Sequence, residues 1–113
     1  MALLFTPLKM GAQTLPNRIC VPPMCCCLAR EGVGSDELIA HYEMLAASGA
    51  GLVVIEATAV RADGRITTRC LGLYNDEQER FFKRLLKACR AVAPAETKFF
   101  LQLSHCGRKG SRK

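Results

Sequence analysis

The chain has 113 residues, half of them hydrophobic, with seven cysteines, no tryptophan and a net charge of +6. That suffices for one domain with a real core and is too short for two. The longest apolar runs, about five or six residues, fall far short of a membrane span. Met1–Pro7 has neither the basic flank nor the long apolar stretch of a secretory signal. Seven thiols, an odd number with three adjacent, do not make a secreted disulfide framework, so a cytoplasmic, reducing location is expected.

In chain order, Leu8 to Pro16 reads as a small hairpin turning at Gly11-Ala12. Asn17-Arg18 precede a first buried strand, Ile19 to Val21. That strand stops at Pro22-Pro23, because proline cannot donate to a sheet ladder, and Met24 and the thiols Cys25, Cys26 and Cys27 follow in a loop. Arg30 to Gly34 reads as a flexible stretch. Ser35-Asp36-Glu37 starts a helix with a capping hydroxyl and two acids at the positive end of its dipole. Leu38, Tyr42 and Leu45 form its apolar stripe, with Ile39 and Ala46 beside it, and Gly49 and Gly51 stop it.

Leu52 to Ile55 is a β-branched run of the kind buried on both faces of a parallel sheet. It ends in Glu56–Val60 and opens into a long loop, Arg61 to Asn75. Asp76-Glu77-Gln78-Glu79 starts a second helix whose apolar face is Phe82, Leu85, Leu86, Cys89 and Val92. Lys83, Lys87 and Arg90 form the wet face, and Pro94 follows as a stop. Lys98 to Leu103 is the third strand, and Ser104 to Lys109 leaves its C-terminal end. Alternating strands and helices make this an α/β chain with parallel strands. Its three unusual loops then leave one edge, where ligands gather in such sheets. No dinucleotide glycine fingerprint or P-loop is present.

Cys25, Cys26 and Cys27 are open to three readings: metal ligation, redox chemistry and packing. Zinc favours thiols two to four residues apart, so adjacent ones argue against it even with His105-Cys106 as further ligands. Cys20 and Cys89 read as packing. Gln102 is a polar residue in an apolar strand; buried, it needs partners, either neighbours at the strand end or the polar edge of a bound ring. His105 is open to a structural role or to service as a base or cation. Arg108, Lys109, Arg112 and Lys113 make the end basic, a solvated tail or a site for an anion. The aromatics do not interleave with the charge, so no nucleic-acid partner is expected.

Taken together, Leu4–Leu8, Leu15–Ile19, Pro23-Met24-Cys25, Ala40-His41-Tyr42, Gly51–Val60, Gly64-Arg65, Leu71–Tyr74 and Gln102–Lys109 resemble the old yellow enzyme family. The resemblance is to its cysteine-bearing bacterial class and covers essentially the whole chain. It implies an FMN-dependent, NAD(P)H-oxidising ene-reductase on a (β/α)8 TIM barrel, passing hydride through the flavin to an activated alkene or enone. It further implies that Pro22, Pro23, Met24 and Cys25 lie along the flavin, with Cys25 near its N5 edge. Ala57 would pack against the ring and Gln102 would bond its pyrimidine side. Cys27 stands where that class has a tyrosine facing substrate. A full barrel needs roughly 250 residues, so residues 1–113 are expected to form a single incomplete barrel segment. This is its N-terminal part: a hairpin, about three strands and two helices. Alone it is expected to be inactive and free of flavin, compatible with a homo-oligomer. The competing reading is a non-catalytic remnant or interaction fragment.

Overall fold

The computed structural model describes residues 2–110. A short 3-10 turn, Leu3–Phe5, leads into the hairpin of β1 (Leu8–Met10) and β2 (Gln13–Leu15). β3 (Cys20–Val21), β4 (Ala29–Arg30), β5 (Val33–Gly34) and helix α1 (Asp36–Ala46) follow. Next come β6 (Leu52–Ala59), β7 (Leu71–Gly72), helix α2 (Asp76–Val92) and β8 (Lys98–Ser104).

The hairpin turns where expected. Gly11 supplies the left-handed backbone, φ 56°, and Leu8 pairs with Leu15. Arg30 to Gly34 differs from the flexible stretch read from the sequence. It is a second hairpin, β4 against β5, turned by two left-handed residues, Glu31 (φ 49°) and Gly32 (φ 76°). Two consecutive positive φ angles are the signature of a turn that follows strand twist. Here the first falls on glutamate, a residue that gives no such signal in sequence.

β6 is the spine of the main sheet. β3 pairs parallel with its start (Cys20 with Leu52) and β7 with its end (Thr58 with Leu71). β8 runs parallel along β6 from Leu52–Lys98 to Ala59–Ser104, with an irregularity between Ile55 and Thr58. β6 therefore extends past the apolar run Leu52–Ile55 through Glu56–Ala59. Asn17 seats the start of β6. Its Oδ1 accepts from the Gly51 N–H at 2.8 Å and the Ile19 N–H at 3.1 Å, and its Nδ2 donates to the Gly49 carbonyl at 2.9 Å. A Cβ on Gly51 would stand 2.6 Å from the Asn17 carbonyl oxygen, so the close approach requires glycine.

Ser35 caps α1, its Oγ accepting from the Leu38 N–H at 3.2 Å. α2 is capped one residue earlier than Asp76, by Asn75, whose Oδ1 accepts from the Gln78 N–H at 2.9 Å. Both helices cover one face of the sheet: Leu38, Ile39, Tyr42, Phe81, Phe82, Leu85 and Cys89 pack with Val53 and Ile55. Burial of each large side chain contributes about 2 kcal/mol. On α2 the inward face includes Phe81, while Val92 at the last turn is 45 % exposed, a correction to the stripe read from sequence. Phe81 lies against Gly34, where a Cβ would collide with its ring. Cys89 is buried as expected. Cys20 is exposed instead, because its neighbour Val21 packs into the core and Cys20 therefore points from the sheet face away from the helices.

Candidate functional site

Three segments converge on the C-terminal edge of the sheet. Pro22–Cys27 leaves the end of β3, Ala57 lies in the last half of β6, and Gln102 lies in β8 opposite the irregularity at Glu56-Ala57. Ala57 is buried; Met24 and Cys25 are exposed; Pro23, Cys26 and Cys27 are half-buried. Pro22 is exposed and holds no place in the ladder. Gln102 is exposed, not buried, and among the described residues its amide has no protein partner. The reason is the strand's alternation: Phe99 and Leu101 of β8 pack into the core beneath the helices, so Phe100 and Gln102 point from the opposite face of the sheet, which among the described residues no helix covers.

The thiol loop is held from below. Oε2 of Glu56 accepts from the Cys26 backbone N–H at 3.3 Å, and Oε1 accepts from the Tyr42 hydroxyl of α1 at 3.1 Å. Cys27 is left-handed, φ 56°, a strained conformation for a side-chain-bearing residue. Burial pushes the Cys25 thiol up, helped by Cys70, Glu56 and Cys27, while the backbone amide of Ala57 at its sulfur pulls the other way. Cys26 is pushed up to about 11, first by burial, then by the charge and hydrogen bond of Glu56. These thiols are therefore held protonated at neutral pH and are poor nucleophiles. Among the described residues no three His, Cys, Asp or Glu side chains are grouped to hold a metal ion.

His105 belongs to a clip on the same edge. Its Nδ1 accepts from the Gly107 N–H at 3.0 Å, so in the neutral ring Nε2 carries the proton and faces Asp63 at 3.9 Å. Arg61 grips Asp63 through two bonds, 3.0 and 3.2 Å, and holds that carboxyl below its usual range. The Cys106 thiol donates to the Arg65 carbonyl at 3.2 Å. His105 and Cys106 thus tie the end of β8 to the loop after β6. Arg108 and Lys109 are exposed, and Arg112 and Lys113 lie outside the described residues.

Sequence reasoning passed over Glu56 and Cys70. A glutamate closing an otherwise apolar run was the available signal for the first. Cys70, one residue before β7, comes beside Cys25 only through the pairing of β7 with β6, which no local pattern announces.

A proline–cysteine loop and a bulged central strand thus lie together on one edge of a parallel α/β sheet. The sequence profile of the NADH:flavin oxidoreductase / NADH oxidase family covers residues 3–112, and the chain belongs to that family. Among curated proteins it is 43 % identical over 111 residues to an NADPH dehydrogenase of Listeria monocytogenes, covering 96 % of this chain and 32 % of that one. It is 39 % identical to the NADPH dehydrogenase of Bacillus subtilis, covering 94 % and 31 %. Among solved structures, the old yellow enzyme of Trypanosoma cruzi superposes with a TM-score of 0.83 at 36 % identity, covering 96 % of this chain and 28 % of that one. Morphinone reductase in complex with tetrahydroNAD gives 0.84 at 32 % identity, covering 97 % and 29 %. The fold is thus the N-terminal part of a TIM barrel of the old yellow enzyme type, as the resemblance implied. The chain spans about a third of the length of the curated relatives it matches.

Proposed function

We propose that this edge holds FMN and that, within a whole barrel, the protein is an NAD(P)H-dependent ene-reductase acting on a small activated alkene or enone. The observation that carries the reading is the placement of the Cys25 loop after β3, Ala57 in β6 and Gln102 in β8 at the outgoing end of three neighbouring parallel strands. The donor set suits a flavin. The loop Pro22–Cys25, with Pro22, Met24 and Cys25 exposed, offers an apolar wall, and Gln102 offers an amide with no protein partner among the described residues. A donor at the pyrimidine side stabilises negative charge on the reduced ring. FMN bound there would supply hydride acceptance from NAD(P)H and delivery to the alkene. Cys25, held as a neutral thiol, would set the polarity beside the ring without adding charge. Cys27, small where the related class carries tyrosine, would leave the acceptor pocket wider. Seven free cysteines fit a reducing compartment such as the cytoplasm. No helix among the described residues is long and apolar enough to cross a membrane.

A second reading, an interaction segment that pairs with another chain, draws on the open edge of β8, where Phe100 is 38 % and Leu103 62 % exposed. One experiment separates the two. Residues 3–112 are joined to the remaining part of the Listeria NADPH dehydrogenase, and FMN content and NADPH oxidation with an enone are measured. Stoichiometric FMN and enone-dependent turnover support the enzyme reading. A folded but colourless hybrid favours the interaction segment.

A further inference from the structure

Glu56 is 1 % exposed, and among the described residues no lysine, arginine or histidine lies within ion-pair distance of it. A buried carboxylate without a cation is costly unless hydrogen bonds replace its water. Glu56 has two such bonds: the Tyr42 hydroxyl at 3.1 Å on Oε1 and the Cys26 N–H at 3.3 Å on Oε2. Tyr42, 2 % exposed, closes the ring by accepting the Glu56 backbone N–H at 2.9 Å. The unit joins α1, β6 and the thiol loop at the place where β6 departs from its register with β8.

We propose that Glu56 is the positioning residue of this edge: through the main chain of Cys26 it fixes the thiol loop, and with it the neighbouring Cys25, over the outgoing half of β6. The assignment holds with or without a cofactor. It also explains why a carboxyl rather than an amide stands here: each of its two oxygens accepts from a different donor, which an amide with one oxygen does not do. The same carboxyl opposes thiolate formation next to it. The other groups facing these thiols are Cys70, Cys27 and Tyr42, none of them a cation, and burial keeps the Tyr42 phenol protonated.

The test is alkylation of the 113-residue chain with iodoacetamide across pH, read thiol by thiol by peptide mass spectrometry. Wild type is compared with Glu56→Gln. Cys89, 1 % exposed, reports folding, because it is labelled only when the core opens. Loss of the Glu56 charge and hydrogen bond should raise Cys26 labelling at fixed pH about three- to tenfold, with burial still holding the rest. Cys25 labelling should rise with it while Cys89 stays protected. Unchanged labelling of both thiols in a chain whose Cys89 remains protected overturns the proposal. If Glu56→Gln exposes Cys89, amide exchange in the wild type decides. A Cys26 N–H protected at neutral pH supports the assignment, and exchange at the free-peptide rate overturns it.

Discussion

Tyr42→Phe removes one oxygen from the ring of bonds under the thiol loop. The hydroxyl donates to Glu56 Oε1 at 3.1 Å and accepts the Glu56 N–H at 2.9 Å, so both bonds go at once. Tyr42 and Glu56 are 2 % and 1 % exposed, so water does not take the vacated place. A stranded buried N–H costs about 1–3 kcal/mol, and a lost bond to a charged acceptor about 1.5–3 kcal/mol. Partial recentring of the carboxylate on the Cys26 N–H brings the expected loss to about 3 kcal/mol. For a chain of this size that lowers Tm by roughly 10 °C. The assay is urea and thermal unfolding by far-ultraviolet circular dichroism at one protein concentration. Tyr74→Phe is the matched control: its hydroxyl makes no hydrogen bond among the described residues, and its loss should cost under about 0.5 kcal/mol. Equal destabilisation by the two variants would refute the claim that the Tyr42–Glu56 unit organises this edge.

Asn17→Ala deletes three bonds that seat β3 and the start of β6. It should cost about 2 kcal/mol, visible as a lower urea midpoint with an unchanged slope. Alkaline pH gives a signed test. Cys26 and Cys89 are raised from 9.0 to about 11, so the native chain keeps protons that the unfolded chain releases. Stability is thus intact below about pH 9 and falls as pH climbs towards 11; a flat midpoint across that window contradicts the burial of these thiols. The 113-residue chain on its own presents the open edge of β8 and the exposed Phe100 and Leu103. In light scattering it should associate, and it should stay colourless after dialysis against FMN; a monomer holding FMN stoichiometrically would contradict the expectation that the rest of the barrel is needed to hold it.

The elements most legible in the sequence were those with strong local signals. The Ser35 cap and the stripe of α1 were readable because capping chemistry and the helical period act within a few residues. The run Leu52–Ile55 was readable because a strand buried on both faces needs continuous apolar side chains. The β4–β5 hairpin was missed because its turn places glutamate in a left-handed conformation that glycine or asparagine usually signals. Residue type alone suggests packing for Cys20 and, if buried, a partnered amide for Gln102. Both are exposed because their strand neighbours Val21 and Leu101 take the core-facing side, leaving Cys20 and Gln102 on the sheet face that no helix among the described residues covers. The convergence of the Cys25 loop, Ala57 and Gln102 followed from chain order alone, since parallel strands send their outgoing loops to one edge. The carboxylate beneath them did not, because the partners of Glu56 are 14 and 30 residues away.

The reduction potential of the flavin tests the central claim most directly. In the hybrid barrel carrying residues 3–112, Cys25→Ala removes a neutral thiol from beside the proposed ring without touching the main chain that would grip it. FMN should stay bound at full occupancy while its midpoint potential shifts measurably from that of the unsubstituted hybrid. A potential unchanged within error, with FMN retained, would contradict the assignment of Cys25 as the flavin-facing thiol.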